Sequence, residues 1–185
     1  MIEIIKETAE EEMKHAIESL KGELQKIRTG KAHASMLDSV KVNYYGSLSP
    51  LNQVASISTP DARSFMLAPW EASVLKDIEA AIVKSDLGLA PINDGKVIRL
   101  KLPEVTEERR KDLVKQAKKT VEDSRISIRM KRKDANDEIK ELLKNKEISE
   151  DDSKRFTEEI QKLTDDYIKK VDDIGTAKEK DIMTV

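Results

Sequence analysis

Three stretches of this chain repeat apolar residues every three or four positions, and each stripe is only about one residue wide. The first runs Ile5, Ala9, Met13, Ile17, Leu20, Leu24, Ile27. The second runs Val114, Ala117, Val121, Ser124, Ile128, Ala135, Ile139, Leu142, and the third Phe156, Ile160, Leu163, Tyr167, Val171, Ile174. The period is that of an α-helix, and near-heptad steps leave each helix a thin seam that only another helix can cover. Three such seams predict a three-helix bundle. Composition agrees: 38% of residues are charged and 3% aromatic, which suits long solvated helices rather than a β-sandwich. So few rings also argue against modules that read nucleic acid by stacking bases on a sheet or in a groove.

End signals fit the same plan. Thr106 is a good N-cap, and Glu107 and Glu108 follow where the helix dipole favours acids. Ser149 with Asp152 approximates a capping box for the third helix, so residues 144–149 read as the turn before it. Gly30 stops the first helix just past its last apolar residue.

Residues 31–105 break the helical pattern. Val40–Tyr44 alternates like a strand and runs into Gly46; Val54–Ile57, Ser64–Leu67 and Lys96–Leu100 read as further strands. Glu71–Lys84 reads as a short helix closed by Asp86-Leu87-Gly88. The expected fold class is therefore α+β: a three-helix bundle from residues 1–30 and 106–185, with a small β/α/β domain, 31–105, inserted between its first two helices. The chain crosses that junction twice, through Thr29, Gly30 and Lys31 and through Leu102, Pro103, Glu104 and Val105. Two short crossings predict a hinge.

Charge separates along the same lines. Segment 1–30 carries −2, the insert zero, 106–146 +5 and 147–185 −5, against −2 for the whole chain. From Arg109 to Lys133 there are eleven Lys and Arg against three acids, a net of +8. At about 100° per residue, Lys111, Lys118, Arg125, Arg129, Arg132 and Asn136 fall within roughly 60° of arc. That stripe rises roughly 35–40 Å along a helix. A rod carrying such a stripe suits a phosphate backbone better than a small ligand. The use of arginine at 125, 129 and 132 points the same way, because its planar fork binds phosphate bidentately. The competing reading is a helical scaffold whose charged seam pairs with another protein.

Chemistry is not expected. His15 and His33 show no ligand spacing, and Thr29-Gly30-Lys31 ends a helix where a phosphate loop would open one. With no cysteine there are no disulfides or thiolate metal sites. Neither a metal nor a cofactor is expected. The charged start (MIEIIKETAEEE) does not read as a signal peptide, and no apolar run approaches the ~20 residues of a membrane span. The expected setting is the cytoplasm.

Several local motifs, in order from end to end, resemble the ribosome recycling factor family. They are Lys26-Ile27-Arg28-Thr29-Gly30, Tyr44-Tyr45-Gly46, Ser85-Asp86-Leu87-Gly88-Leu89 and Thr106-Glu107-Glu108-Arg109-Arg110-Lys111-Asp112-Leu113. Arg125, Arg129, Arg132-Lys133-Asp134-Ala135-Asn136-Asp137 and Lys146-Glu147-Ile148-Ser149-Glu150-Asp151-Asp152 complete the set. The resemblance implies an elongated, L-shaped monomer in which a three-helix bundle and a β/α/β domain join at a flexible hinge. It implies a translation factor, not an enzyme. Such a factor binds the post-termination ribosome with its bundle along large-subunit rRNA near the peptidyl transferase centre. Elongation factor G and GTP then help it separate the subunits, which frees messenger RNA and deacylated transfer RNA. In that family the arginines matching Arg28, Arg110, Arg129 and Arg132 contact rRNA; Lys118 and Arg125 join them here from the stripe. Three departures stand out: Lys31 where arginine is more common, Lys131 beside the apolar seam, and the atypical segment from Ser64 to Trp70.

Overall fold

In the computed structural model, which describes residues 2–184, the chain forms helix α1 (Ile2–Lys26), strands β1 (Lys41–Tyr44) and β2 (Ser47–Pro50), and a single helical turn α2 (Leu51–Val54). Strands β3 (Ala55–Asp61) and β4 (Ser64–Pro69), helix α3 (Leu75–Lys84) and strands β5 (Pro91–Asn93) and β6 (Ile98–Lys101) follow. Two long helices, α4 (Glu107–Lys144) and α5 (Glu150–Met183), complete the chain. These elements make two compact units: the chain up to Thr29 with Glu107–Thr184, and Gly30–Thr106.

The first unit is a three-helix bundle. Contacts from α1 to α5 advance together (Lys6 with Glu159, Glu10 with Tyr167), so those helices are parallel. Arg110 reaches the Met183 carbonyl while Arg132 reaches Gln161, so α4 and α5 are antiparallel. The α1 seam is buried from Ala9 through Leu24, as its period predicts. The α5 seam drifts from the expected positions: Thr164 and Gly175 are buried, while Leu163 and Ile174 sit half-buried on its flank. The reason is arithmetic. A straight helix of 3.6 residues per turn loses register with a strict heptad, so the contact line moves by one position per few turns. Thr164 is tolerated inside because its hydroxyl donates to the Ile160 carbonyl at 2.7 Å. At Gly175 an added Cβ would lie 2.8 Å from a Val121 methyl, so α4 and α5 approach closely there.

The turn from α4 to α5 is built from caps. Lys146 takes φ +60°, and the Glu147 amide donates to the Leu142 carbonyl at 2.9 Å. Ser149 Oγ accepts the Asp152 amide at 3.1 Å and donates back to the Asp152 carboxylate at 2.7 Å. That hydroxyl is the main cause of a lowered Asp152 pKa. Helix α1 ends at Lys26, four residues before Gly30, which has φ +83°.

The second unit carries a four-stranded antiparallel sheet ordered β3-β4-β6-β5 and a separate β1-β2 hairpin. Phe65 and Leu67 of β4, Ile98 and Leu100 of β6, and Ile78 and Ile82 of α3 are all fully buried in one core. The structure departs from the sequence expectation in four places. Ala72–Val74 forms a 3-10 turn ahead of α3 rather than its first turn, and Val54 closes a helical turn rather than starting a strand. Strands β2 and β5 add to the expected set; both are short, contain proline and lie at sheet edges, where alternation is weakest. The β1–β2 turn is Tyr45-Gly46, both with positive φ, and the Gly46 amide donates to Asn43 Oδ1 at 3.0 Å.

One turn of this unit holds both crossing segments. The Ala32 amide donates to the Ala62 carbonyl at 2.7 Å, and the Leu102 amide to the Arg63 carbonyl at 2.8 Å. Arg63 Nη1 also lies 3.1 Å from Glu104 Oε1. Leu102 is itself buried in the sheet-unit core.

Candidate nucleic-acid interface

The basic stripe lies along α4, and the bundle divides it by what each residue touches. Arg125 is pulled onto α5: its Nη2 lies 2.6 Å from Asp172 Oδ1 and its Nη1 2.8 Å from Glu122 Oε2. Hydrogen bonds to Glu122 and then Asp172 hold its pKa above the usual arginine value. Arg132 also leans toward α5, donating to Gln161 Oε1 at 3.0 Å. Asn136 turns inward, with Oδ1 buried and no hydrogen-bond partner. It does not extend the outward stripe as the helical wheel predicts.

Lys111, Lys118 and Arg129 remain exposed. Arg129 has one weak ion pair, Nη1 to Glu122 Oε1 at 3.6 Å, and its guanidinium can turn toward an external anion. On the other flank Lys131 reaches outward from the seam and meets Glu12 of α1 at 3.3 Å, so that departure is absorbed by a bundle contact. Arg28, two residues beyond α1, is exposed. Arg110 sits in the first turn of α4 and donates to the last turn of α5 through the Met183 carbonyl at 3.1 Å. Since α1 runs antiparallel to α4, Arg28 and Arg110 share one end of the bundle. Arg129 and Arg132 lie farther along the same helix.

Sequence reasoning passes over two residues on this face. Ile126 and Met130 are exposed on α4, flanking Arg129 away from the buried seam. Their signal is an i, i+4 apolar pair outside the periodic stripe, readable only once the stripe is known to be the covered one. Cations flanked by uncovered aliphatic surface fit folded RNA, which offers phosphates beside sugar and base edges.

Among the described residues, no group of three or more His, Cys, Asp or Glu could hold a metal ion, and no helix is long and apolar enough to cross a membrane. What the α4 face can do is bind polyanions.

Comparison with known proteins converges on one family. The family described as "Ribosome recycling factor" matches residues 20–183. A ribosome-recycling factor from Bdellovibrio bacteriovorus is 60% identical over 98% of this chain and 97% of its own. One from Caldicellulosiruptor bescii is 56% identical over 97% of each chain. Among solved structures, a solution structure of the ribosome recycling factor superposes with a TM-score of 0.75 at 41% identity, covering 100% of this chain and 98% of its own. A second superposes with a TM-score of 0.63 at 40% identity over 99% of each chain. It is the Thermus thermophilus ribosome recycling factor, placed with Escherichia coli elongation factor G on the Escherichia coli post-termination complex.

Proposed function

The chain belongs to the ribosome recycling factor family, and from that premise we propose that it binds the post-termination ribosome and, with elongation factor G and GTP, separates the subunits. Messenger RNA and deacylated transfer RNA leave as the subunits part. The factor works in the cytoplasm as a monomer and hydrolyses nothing itself; GTP is consumed by its partner.

The observation that carries this reading is the uncovered basic face of α4, where Lys111, Lys118 and Arg129 stay exposed although the bundle core is closed. Large-subunit rRNA near the peptidyl transferase centre is the polyanion it meets. Arg28, Arg110, Lys118, Arg129 and Arg132 make those contacts, and Arg125 braces the helix that presents them. The hinge is narrower than the seven crossing residues. Leu102 is packed in the sheet unit and Glu104 is tied to Arg63, so bending falls mainly to Thr29, Gly30 and Lys31 on one crossing and to Val105 on the other.

The test is a subunit-splitting assay by light scattering, using post-termination ribosomes, elongation factor G and GTP. Splitting should require all components and fail with a non-hydrolysable nucleotide. A chain that sediments with ribosomes at low salt yet never supports splitting would overturn the proposal. Ribosome association that is indifferent to salt would favour the scaffold reading instead.

A further inference from the structure

The chain holds only six aromatic residues. Phe65, Phe156 and Tyr167 are buried. The other three, Tyr44, Tyr45 and Trp70, gather on one face of the sheet unit around Glu71. Tyr45 is 78% exposed and Trp70 68% exposed, with Leu48 of the same hairpin at 75%. Large rings left in water on a chain so poor in them are an interface signature rather than ordinary surface.

The face is held in shape. Tyr44 OH donates to Glu71 Oε1 at 2.7 Å and Tyr45 OH to Glu71 Oε2 at 2.8 Å, and the two rings meet edge to face at 4.6 Å. The Trp70 amide donates to the Val54 carbonyl at 3.0 Å, which fixes its backbone. A cleft of about 250 Å³ between Tyr44, Gln53 and Trp70 has Glu71 in its wall, and a second cleft opens between Tyr45, Ser73 and Asp77. Among the described residues, neither cleft is lined by a lysine, arginine or histidine. Each Glu71 oxygen takes one tyrosine hydroxyl and keeps a second lone pair.

We propose that the Tyr45–Trp70 face around Glu71 is a docking surface for an arginine-bearing segment of a partner protein. Uncompensated carboxylates repel a phosphate backbone, so nucleic acid is disfavoured here while α4 attracts it. Two copies meeting through this face would oppose Glu71 and Asp77 to themselves. A guanidinium matches both features: it stacks on an exposed ring and offers its fork to a carboxylate. Rings and carboxylate already in place reduce the ordering cost of docking. The proposal stands on this face alone and does not depend on the recycling reading.

Trp70 is the chain's only tryptophan, so the full chain labelled with fluorotryptophan reports this face through one fluorine resonance. The probes are a peptide of alternating glycine and arginine, its glycine–glutamate counterpart, and a single-stranded oligoribonucleotide. The arginine peptide should shift the resonance saturably and the glutamate peptide should not. Glu71→Gln and Tyr45→Ala, both at exposed positions, should each weaken that binding by roughly threefold to tenfold, with circular dichroism confirming the fold. The proposal fails if the arginine peptide produces no saturable shift, or if both variants bind it unchanged. It also fails if the oligoribonucleotide gives the saturable shift instead, or if raising the concentration of the chain alone does.

Discussion

Arg125 and Asp172 lie on different helices, yet the arginine's Nη2 and Nε stand 2.6 and 2.8 Å from one carboxylate oxygen, Asp172 Oδ1. Glu122 takes a third contact at 2.8 Å, and the arginine side chain is only 30% exposed. A phosphate would have to displace two carboxylates to claim it. Arg129, one turn along, gives up only a 3.6 Å pair. We therefore expect the two arginines to differ in role although the sequence presents them alike.

A double-mutant cycle separates those roles in stability. Arg125→Ala and Asp172→Asn should each lower stability by roughly 0.5–1 kcal/mol, and the double variant by less than their sum, because the pair is partly desolvated and two guanidinium nitrogens share one Asp172 oxygen. Arg129→Ala should change stability by no more than about 0.5 kcal/mol. Denaturant unfolding of the set measures this. Strict additivity at 125 and 172 would mean that the bridge does not couple the helices.

Binding should rank the arginines in the opposite order. A charge-assisted bond to phosphate is typically worth ~1.5–3 kcal/mol, so Arg129→Ala should weaken large-subunit binding by roughly 10- to 100-fold. The slope of log affinity against log salt should become shallower by about 0.7–0.9, because one phosphate fewer is neutralised. Arg125→Ala should bind nearly as the parent does. Isotherms at several salt concentrations decide it, and an unchanged slope for Arg129→Ala would place the RNA face elsewhere.

Gly175 sets how closely α4 and α5 pack. An alanine there gains about 1 kcal/mol of helix propensity. Against this, the new Cβ meets both Val121 methyls, at 2.8 and 3.3 Å. Valine in a helix has essentially one χ1 rotamer, so it cannot turn both methyls away, and overpacking costs about 1–3 kcal/mol. The clash wins. Gly175→Ala should lower the melting temperature, and adding Val121→Ala should recover part of the loss. A Gly175→Ala variant that melts higher would show that the interface opens freely.

The tyrosine pair has a signature in alkaline titration. Hydrogen bonding to Glu71 is the main cause holding both Tyr44 and Tyr45 above the usual tyrosine pKa, and the same bonds lower Glu71. These bonds are thus present above the ordinary carboxylate range, weaken as pH falls through the depressed Glu71 pKa, and break again as pH rises through the raised tyrosine values. Glu71→Gln should bring two of the three tyrosines down toward the ordinary value of about 10. The third, Tyr167, is raised first by its own burial and should not move. Ultraviolet titration of the parent and the variant resolves this.

Much of the fold is legible in the sequence because long helices repeat one signal many times. The α1 seam from Ala9 to Leu24 and the buried α4 positions Ala117, Val121, Ile128, Ala135 and Ile139 follow the period directly. Strands β2 and β5, at four and three residues, offer too few positions for alternation to show and borrow their order from neighbours. The stripe on α4 is equally visible, but its division is not. Asp172 is 47 residues from Arg125, and no local pattern tells which of three arginines meets a carboxylate on another helix. The aromatic face is hidden for a related reason: Tyr44 and Glu71 are 27 residues apart.

The last prediction concerns Gly30, where the chain passes between its two units at φ +83°. Only glycine adopts that conformation without strain, and a β-branched side chain resists it by about 1–2 kcal/mol or more. Gly30→Val should therefore bias the crossing away from its present conformation. If separation of the subunits needs the crossing to bend while the bundle stays docked, splitting should slow markedly while ribosome affinity changes only a few fold. Gly88 supplies the control, since its φ is +64° and it belongs to the sheet unit but to neither crossing segment. Gly88→Val imposes a similar local strain and should leave the splitting rate close to the parent's. Affinity from ribosome co-sedimentation and rate from light scattering, measured on the same preparations, separate the two steps. Equal loss of binding and splitting in Gly30→Val, or equal slowing by Gly88→Val, would show that the glycine serves folding alone and that no hinge acts at this crossing.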